Sequence, residues 1–197
     1  PNNRTLWTDS GNYARGHWIT GRTSGRTLSS VVDEIVTASG VIKHDTSSLH
    51  GHVRGYMSDQ VAEARSNLQP LSLRYGFDAV ERAGELSFVI RDGKVDHTLD
   101  LDVLVRDSEL DAIVEETRGN SNELTGRVRM RFIEADGDYD VVSEEAILPD
   151  EATHAVSTSD VPLVMTRAEG RQIVERWLSE GRLSTDAIRL VLPPTQL

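Results

Sequence analysis

No cysteine occurs among the 197 residues. Disulfides, thiol nucleophiles, iron–sulfur clusters and every cysteine-based zinc site are therefore excluded. Aromatic residues make up only 5% and hydrophobic residues 38%, so any core is modest and mostly aliphatic. Lys and Arg number 21 against 32 Asp and Glu, for a formal net charge of -11. Nucleic-acid affinity needs clustered cations to neutralise phosphates, and this balance argues against it. The same sign favours solubility. No apolar run approaches the length of a membrane span, and no signal peptide is visible. Catalytic motifs are missing as well. There is no G-x-S-x-G elbow, and GRTSGRT at 21–27 lacks the lysine and the spacing of a phosphate loop. No cofactor site is read from the chain.

What is present is enough for one large domain or two small ones. Residues 1–26 are rich in Gly, Asn, Ser, Thr and Arg, with Trp7, Tyr13 and Trp18 interleaved. They read as an extended arm or loop with a short strand near His17–Thr20. Because the chain begins at Pro1 in loop-like sequence, it is expected to be a segment of a longer polypeptide. Residues 27–95 read as an α+β unit. Thr27 is the expected N-cap of a helix over Leu28–Ser39, with Leu28, Val31, Val32, Ile35 and Val36 on one face and Gly40 as the left-handed stop. Asp33 and Glu34 are placed near its start, where the dipole favours negative charge. A strand over Val53–Met57 follows. Ser58 or Asp59 is expected to cap a second helix running to about Tyr75, with Pro70 kinking or breaking it near Asn67 and Gly76 ending it. Phe77–Glu81 and Glu85–Arg91 make a hairpin around Arg82-Ala83-Gly84.

Residues 96–150 read as the first part of a β-rich domain. Leu99, Leu101, Val103 and Val105 alternate with Asp100, Asp102 and Leu104 and predict a half-buried strand. Ser108–Glu116 reads as a short helix. Arg127–Ile133 reads as a strand, turned at Asp136-Gly137-Asp138 toward a further strand within Tyr139–Leu148. Residues 149–160 read as a polar linker or long loop, with 151–160 taken as the domain linker. Residues 161–197 complete the β-rich domain as strand, helix, strand. Val161–Met165 leads to a Thr166–Glu169 capping box, and Ile173, Val174, Trp177 and Leu178 form the helix stripe. Gly181 is the expected stop, and Thr185–Leu192 the last strand.

Four groups of residues invite a chemical reading. Asp136, Asp138 and Asp140 alternate as in a calcium loop, but Val141 stands where such a loop needs glycine, and a solvated turn is the better reading. His44, His50 and His52 share a loop with Asp45, yet lack the helical H-E-x-x-H arrangement of a zinc site. Asp96, Asp100 and Asp102 lie near His97, but sequence does not show two carboxylates facing one another across a bond as a glycosidase requires. Arg127, Arg129 and Arg131 alternate with Val128, Met130 and Phe132, so the arginines share one strand face. That row pairs either within the chain, with the Asp100 and Asp102 row, or with acidic groups of an assembly partner.

Three stretches carry a family resemblance. They are ETRGNSNELTGRVRMRFIEADGDY at 116–139, VRGYM with AEARSNLQPLSLRYGFDAVERAGELSF between 53 and 88, and PLVMTRAEGRQIVERWLSEGR with AIRLVLPP between 162 and 194. Together they resemble the large tail protein of tailed phages and phage-like gene transfer agents, in the central region that forms part of the tail-tip hub. The resemblance runs loosely from about Gly16 onward. It implies an α+β fold, with a small α/β helical unit beside a β-barrel-like domain related to tail-tube proteins. It also implies a structural role without enzymatic activity, in a virion or phage-like particle at the tail tip or baseplate. The expected partners are copies of the chain, as a homotrimer, and neighbouring tail and baseplate proteins. DNA would pass through the lumen without specific binding. Trp7, Trp18, Arg127, Arg129 and Arg131 are the expected partner-binding residues. A cell-wall glycan hydrolase and a carbohydrate-binding module stacking sugars on Trp7, Tyr13 and Trp18 are the alternatives.

Overall fold

A computed structural model describes residues 22–58, 63–95, 97–106, 110–119, 126–149 and 155–193. The expected strand near His17–Thr20 lies outside them. The first strand, β1 (Arg22–Thr27), leads directly into helix α1 (Leu28–Ala38). The Thr27 side chain accepts from the Ser30 N–H at 3.3 Å, which satisfies one of the helix's free donors. Leu28, Val31, Val32 and Val36 are buried, as their spacing requires. Gly40 follows at φ 84°, a left-handed stop that a Cβ would oppose. The first turn of α1 contains no acidic residue. Asp33 and Glu34 lie further along, where they pair with His44 and Arg26.

Strands β2 (His44–Asp45) and β3 (His52–Met57) come next, followed by helix α2 (Ala64–Tyr75). The helix begins later than expected: Glu63 is its N-cap and makes no side-chain cap. Ser58 lies just beyond β3, and Asp59 is outside the described residues. Pro70 sits inside α2 without breaking it. The hydrogen bond it cannot donate would reach the carbonyl of Ser66, an exposed residue, where water can substitute. One position on, the Asn67 carbonyl accepts from the Tyr56 hydroxyl at 2.9 Å, while Leu71 is fully buried and anchors the helix. Gly76 closes α2 in the left-handed region at φ 69°. Strands β4 (Phe77–Arg82) and β5 (Glu85–Ile90) form the expected hairpin.

From Leu99 to Val105 the expected strand is absent. A single 3-10 turn covers Leu101–Val103, and Leu101 is 68% exposed. The Asp100 carboxylate accepts from the Asp102 N–H at 3.4 Å, a local bond that competes with extension. The expected helix over Ser108–Glu116 falls partly on residues 108–109, outside those described; the rest holds no helix, and Val114 begins strand β6 (Val114–Arg118), which pairs with β10 (Asp186–Leu190). Strands β7 (Arg127–Glu134) and β8 (Val141–Ile147) flank the expected turn. Strand β9 (Val156–Met165) takes in the latter part of the stretch read as linker. Helix α3 (Arg167–Leu183) has its complete Thr166–Glu169 capping box, and runs through Gly181 to a cap at Ser184.

The main sheet has five strands in the order β1-β3-β9-β7-β8, with β9 parallel to β7 and the other pairs antiparallel. A three-stranded sheet, β2-β5-β4, and a two-stranded one, β10-β6, stand apart from it. The expected helical unit beside a β-barrel-like domain is not what forms: helices mix with several small sheets, and no sheet among the described residues closes into a barrel. Closure needs the two edge strands to pair. Here β1 and β8 end an open sheet, and β10 goes to β6 instead. One apolar cluster joins α1, β3, α2 and the β4–β5 hairpin to β7, β8, β9 and α3. Apolar residues from distant parts of the chain meet there, and their joint burial supplies the main hydrophobic stabilisation.

Candidate partner-binding face

Strand β7 separates its two rows as the alternation requires. Val128, Met130 and Phe132 are each at most 2% exposed. Helix α3 covers that side, with Gly170 against the Phe132 ring. The arginine row lies on the other side, and the flanking strands define its surroundings. Arg127 stands between Ile147 of β8 and Val156 of β9, Arg129 between Glu145 and Thr158, and Arg131 between Ser143 and Asp160. Ile147 and Val156 are 52% and 50% exposed. This face is mixed, apolar at the Arg127 end and ionic in the middle.

Arg129 donates to Glu145 Oε2 from Nε at 3.1 Å and from its terminal amine at 2.9 Å. Arg131 lies 3.6 Å from Asp160. The intrachain reading of the row therefore holds for these two, with different partners from those expected. Asp100 and Asp102 belong to the 3-10 turn and not to a facing strand. Glu145 and Asp160 were hidden in sequence because strand register is set by packing. VVSEEAI does not alternate cleanly, since Val141 and Ile147 share the outward row with Glu145 while Glu144 lies on the inner one. These pairs are exposed, so each contributes at most about 1 kcal/mol. The Arg127 guanidinium has neither a hydrogen bond nor an ion pair among the described residues, although its backbone N–H donates to the Ala155 carbonyl at 3.2 Å. Trp7, Tyr13 and Trp18 lie outside those residues.

The other groups do not assemble into sites. His44 lies between the Asp33 carboxylate at 2.8 Å and the Val41 carbonyl at 3.1 Å. Asp45 accepts from the Ser47 N–H at 2.8 Å, a bond that holds its carboxyl below the usual range. His50 and His52 are exposed. No three metal-ligating side chains converge among the described residues. Asp96 is outside those residues, and Asp100 and Asp102 lie exposed on the 3-10 segment. The carboxylates of Asp136, Asp138 and Asp140 are exposed on the β7–β8 turn. Between them Tyr139 is 67% exposed and held at φ 61°.

A second charged cluster ties α2 to α3. Arg176 donates to the carbonyls of Leu73 and Arg74, which terminate α2, so it offsets the negative end of that helix. Burial lowers its guanidinium pKa, and the charges of Arg91 and Arg74 add to that while Glu180 opposes it. Glu169 receives Arg74 at 3.0 Å and Arg54 at 3.4 Å. This arrangement joins the two helices to β3.

The chain matches the protein-family model described as "Putative phage tail protein" over residues 63–197. Among solved structures, a chain of a native gene transfer agent virion is 45% identical, with a TM-score of 0.82. The similarity covers 96% of this chain and 43% of that one, so the sequence spans less than half of its relative. The 43 kDa tail protein of prophage MuSo2 from Shewanella oneidensis is 12% identical at a TM-score of 0.53, over 85% of this chain and 50% of that one. A tail protein from Neisseria meningitidis MC58 is likewise 12% identical, at 0.51, over 84% and 49%. These last two share the fold. No curated protein sequence matches the chain. The chain belongs to the phage tail protein family and is a structural protein of phage-type tail particles.

Proposed function

We propose that this chain is a segment of the tail-tip hub, assembling as a homotrimer around the DNA channel and anchoring peripheral tail and baseplate parts. The observation that carries this reading is the match over nearly the whole chain to a protein of an intact gene transfer agent particle. The charge supports it. A surface at net -11 repels the DNA backbone, so DNA passes without being retained. On this reading Trp7, Trp18 and the row of Arg127, Arg129 and Arg131 face neighbouring subunits. Asp100 and Asp102 take no part in glycan cleavage.

Immunogold labelling of particles from culture supernatant, with an antibody to this segment, tests the reading. Gold at the tail tip is the expected result. Gold along the tail shaft or at the head, or protein confined to the soluble fraction, overturns it. Release of sugar from purified peptidoglycan, abolished by Asp100→Asn or Asp102→Asn, would establish the hydrolase instead.

A further inference from the structure

The two ends of the β7–β8 hairpin complement one another. At one end Arg127 is half-buried, unpaired, and flanked on both neighbouring strands by exposed apolar residues, Ile147 and Val156. A guanidinium in such surroundings has lost part of its hydration and gained no partner. At the other end exposed Tyr139 stands between the unpaired carboxylates of Asp138 and Asp140, next to Val141 at 59% exposure. Tyr139 sits in the left-handed region at φ 61°. A bulky residue adopts that region at a cost, and such strain persists at positions where a side chain is held out for binding. The eight residues of β7 hold these ends apart, by roughly 25 Å at about 3.3 Å per residue. They cannot meet within one molecule.

We propose that this face is a head-to-tail contact between copies of the chain. The Arg127 end of one copy receives the 136–141 turn of the next, with Arg127 on Asp138 or Asp140 and Tyr139 between Ile147 and Val156. Arginine and tyrosine anchors enclosed by apolar side chains are the usual core of a strong interface, because the enclosure excludes water from the ion pair. Arg129 and Arg131 are already neutralised by Glu145 and Asp160, so Arg127 carries the unspent charge. A second copy is favoured over another protein because one chain displays both halves of the match. A contact between two different patches closes into a ring or extends into a filament. The inference deepens the hub reading and rests on it in one respect, that copies of this segment meet.

Sedimentation velocity of the full parent protein is the test, with Arg127→Glu, the double variant Asp138→Arg with Asp140→Arg, and all three changes together. The first two should each weaken self-association by roughly 30-fold or more, and the combination should restore it. The Arg127 side chain has no hydrogen-bond or ion-pair partner among the described residues, so an unchanged melting temperature for Arg127→Glu separates lost contact from lost fold. An oligomer indifferent to Arg127→Glu overturns the proposal. So does a combined variant no better than its parents, or a wild type that stays monomeric. Gold labelling is read separately. A labelled tail tip with an indifferent oligomer removes this contact and keeps the hub. Charge-swap rescue without labelled tips keeps the contact and removes the hub.

Discussion

Gly170 and Phe132 touch where α3 crosses β7: a Cβ on Gly170 would lie 2.5 Å from two carbons of the Phe132 ring. The ring is 1% exposed and has nowhere to turn. Gly170→Ala gains about 1 kcal/mol of helix propensity, against an overpacking cost of about 1–3 kcal/mol or more. We expect net destabilisation of about 1–2 kcal/mol, read as a lower denaturation midpoint in urea. An unchanged or higher midpoint would show that helix and sheet separate freely.

Gly181, eleven residues further along the same helix, is the control. Nothing lies within 4 Å of a Cβ placed there. With no clash to offset propensity, Gly181→Ala should stabilise by about 0.5–1 kcal/mol. Opposite signs at the two glycines, measured in one urea series, would confirm that packing decides the first and backbone entropy the second.

The β4–β5 turn holds Ala83 at φ 51° and Gly84 at φ 76°. Two positive φ values define the turn type that favours Asn-Gly. Alanine is strained there, whereas asparagine tolerates the conformation. Ala83→Asn should therefore raise stability by about 0.5–1 kcal/mol. Thermal unfolding checks this, and a lower melting temperature contradicts the turn geometry.

Glu169 combines a helix cap with an ion pair. Burial raises its pKa, but the Thr166 N–H and hydroxyl together with Arg74 and Arg54 outweigh burial, and the net shift is downward. A depressed carboxylate pKa contributes stability above the ordinary value near 4.5. That contribution is lost as pH falls through the lowered pKa. Glu169→Gln should cost about 1–2 kcal/mol at neutral pH. The difference from wild type should shrink through the acid range below about pH 4.5. A pH-independent difference would mean that packing matters there and charge does not.

Local chemistry was legible wherever neighbours in sequence decide the outcome. Thr27 and Gly40 bound α1, Thr166 and Glu169 start α3, and Ala83-Gly84 turn the hairpin, because caps and turns are closed by residues a few positions apart. Where the outcome depends on a distant partner, alternation misled. Leu99–Val105 has the pattern of a strand, but the Val105 N–H bond to the Val191 carbonyl at 3.0 Å is not continued by further rungs among the described residues, and a single bond does not make a ladder. Val156–Asp160 reads as polar linker, yet β7 provides the parallel pairing that extends it. Gly181 looked like a stop, but the helix continues to Ser184.

The same division applies to the candidate face. The sequence by itself determined that three arginines share a side of one strand, since a period of two follows from backbone geometry alone. It also determined the acidic excess and the absence of any thiol chemistry. Only the tertiary structure decided which carboxylates those arginines reach. Register between β7, β8 and β9 assigns Glu145 and Asp160 and leaves Arg127 between two apolar side chains. Tertiary pairing likewise left the main sheet open by sending β10 to β6. Such choices arise from contacts between residues far apart in the chain, whose energies depend on the packed whole.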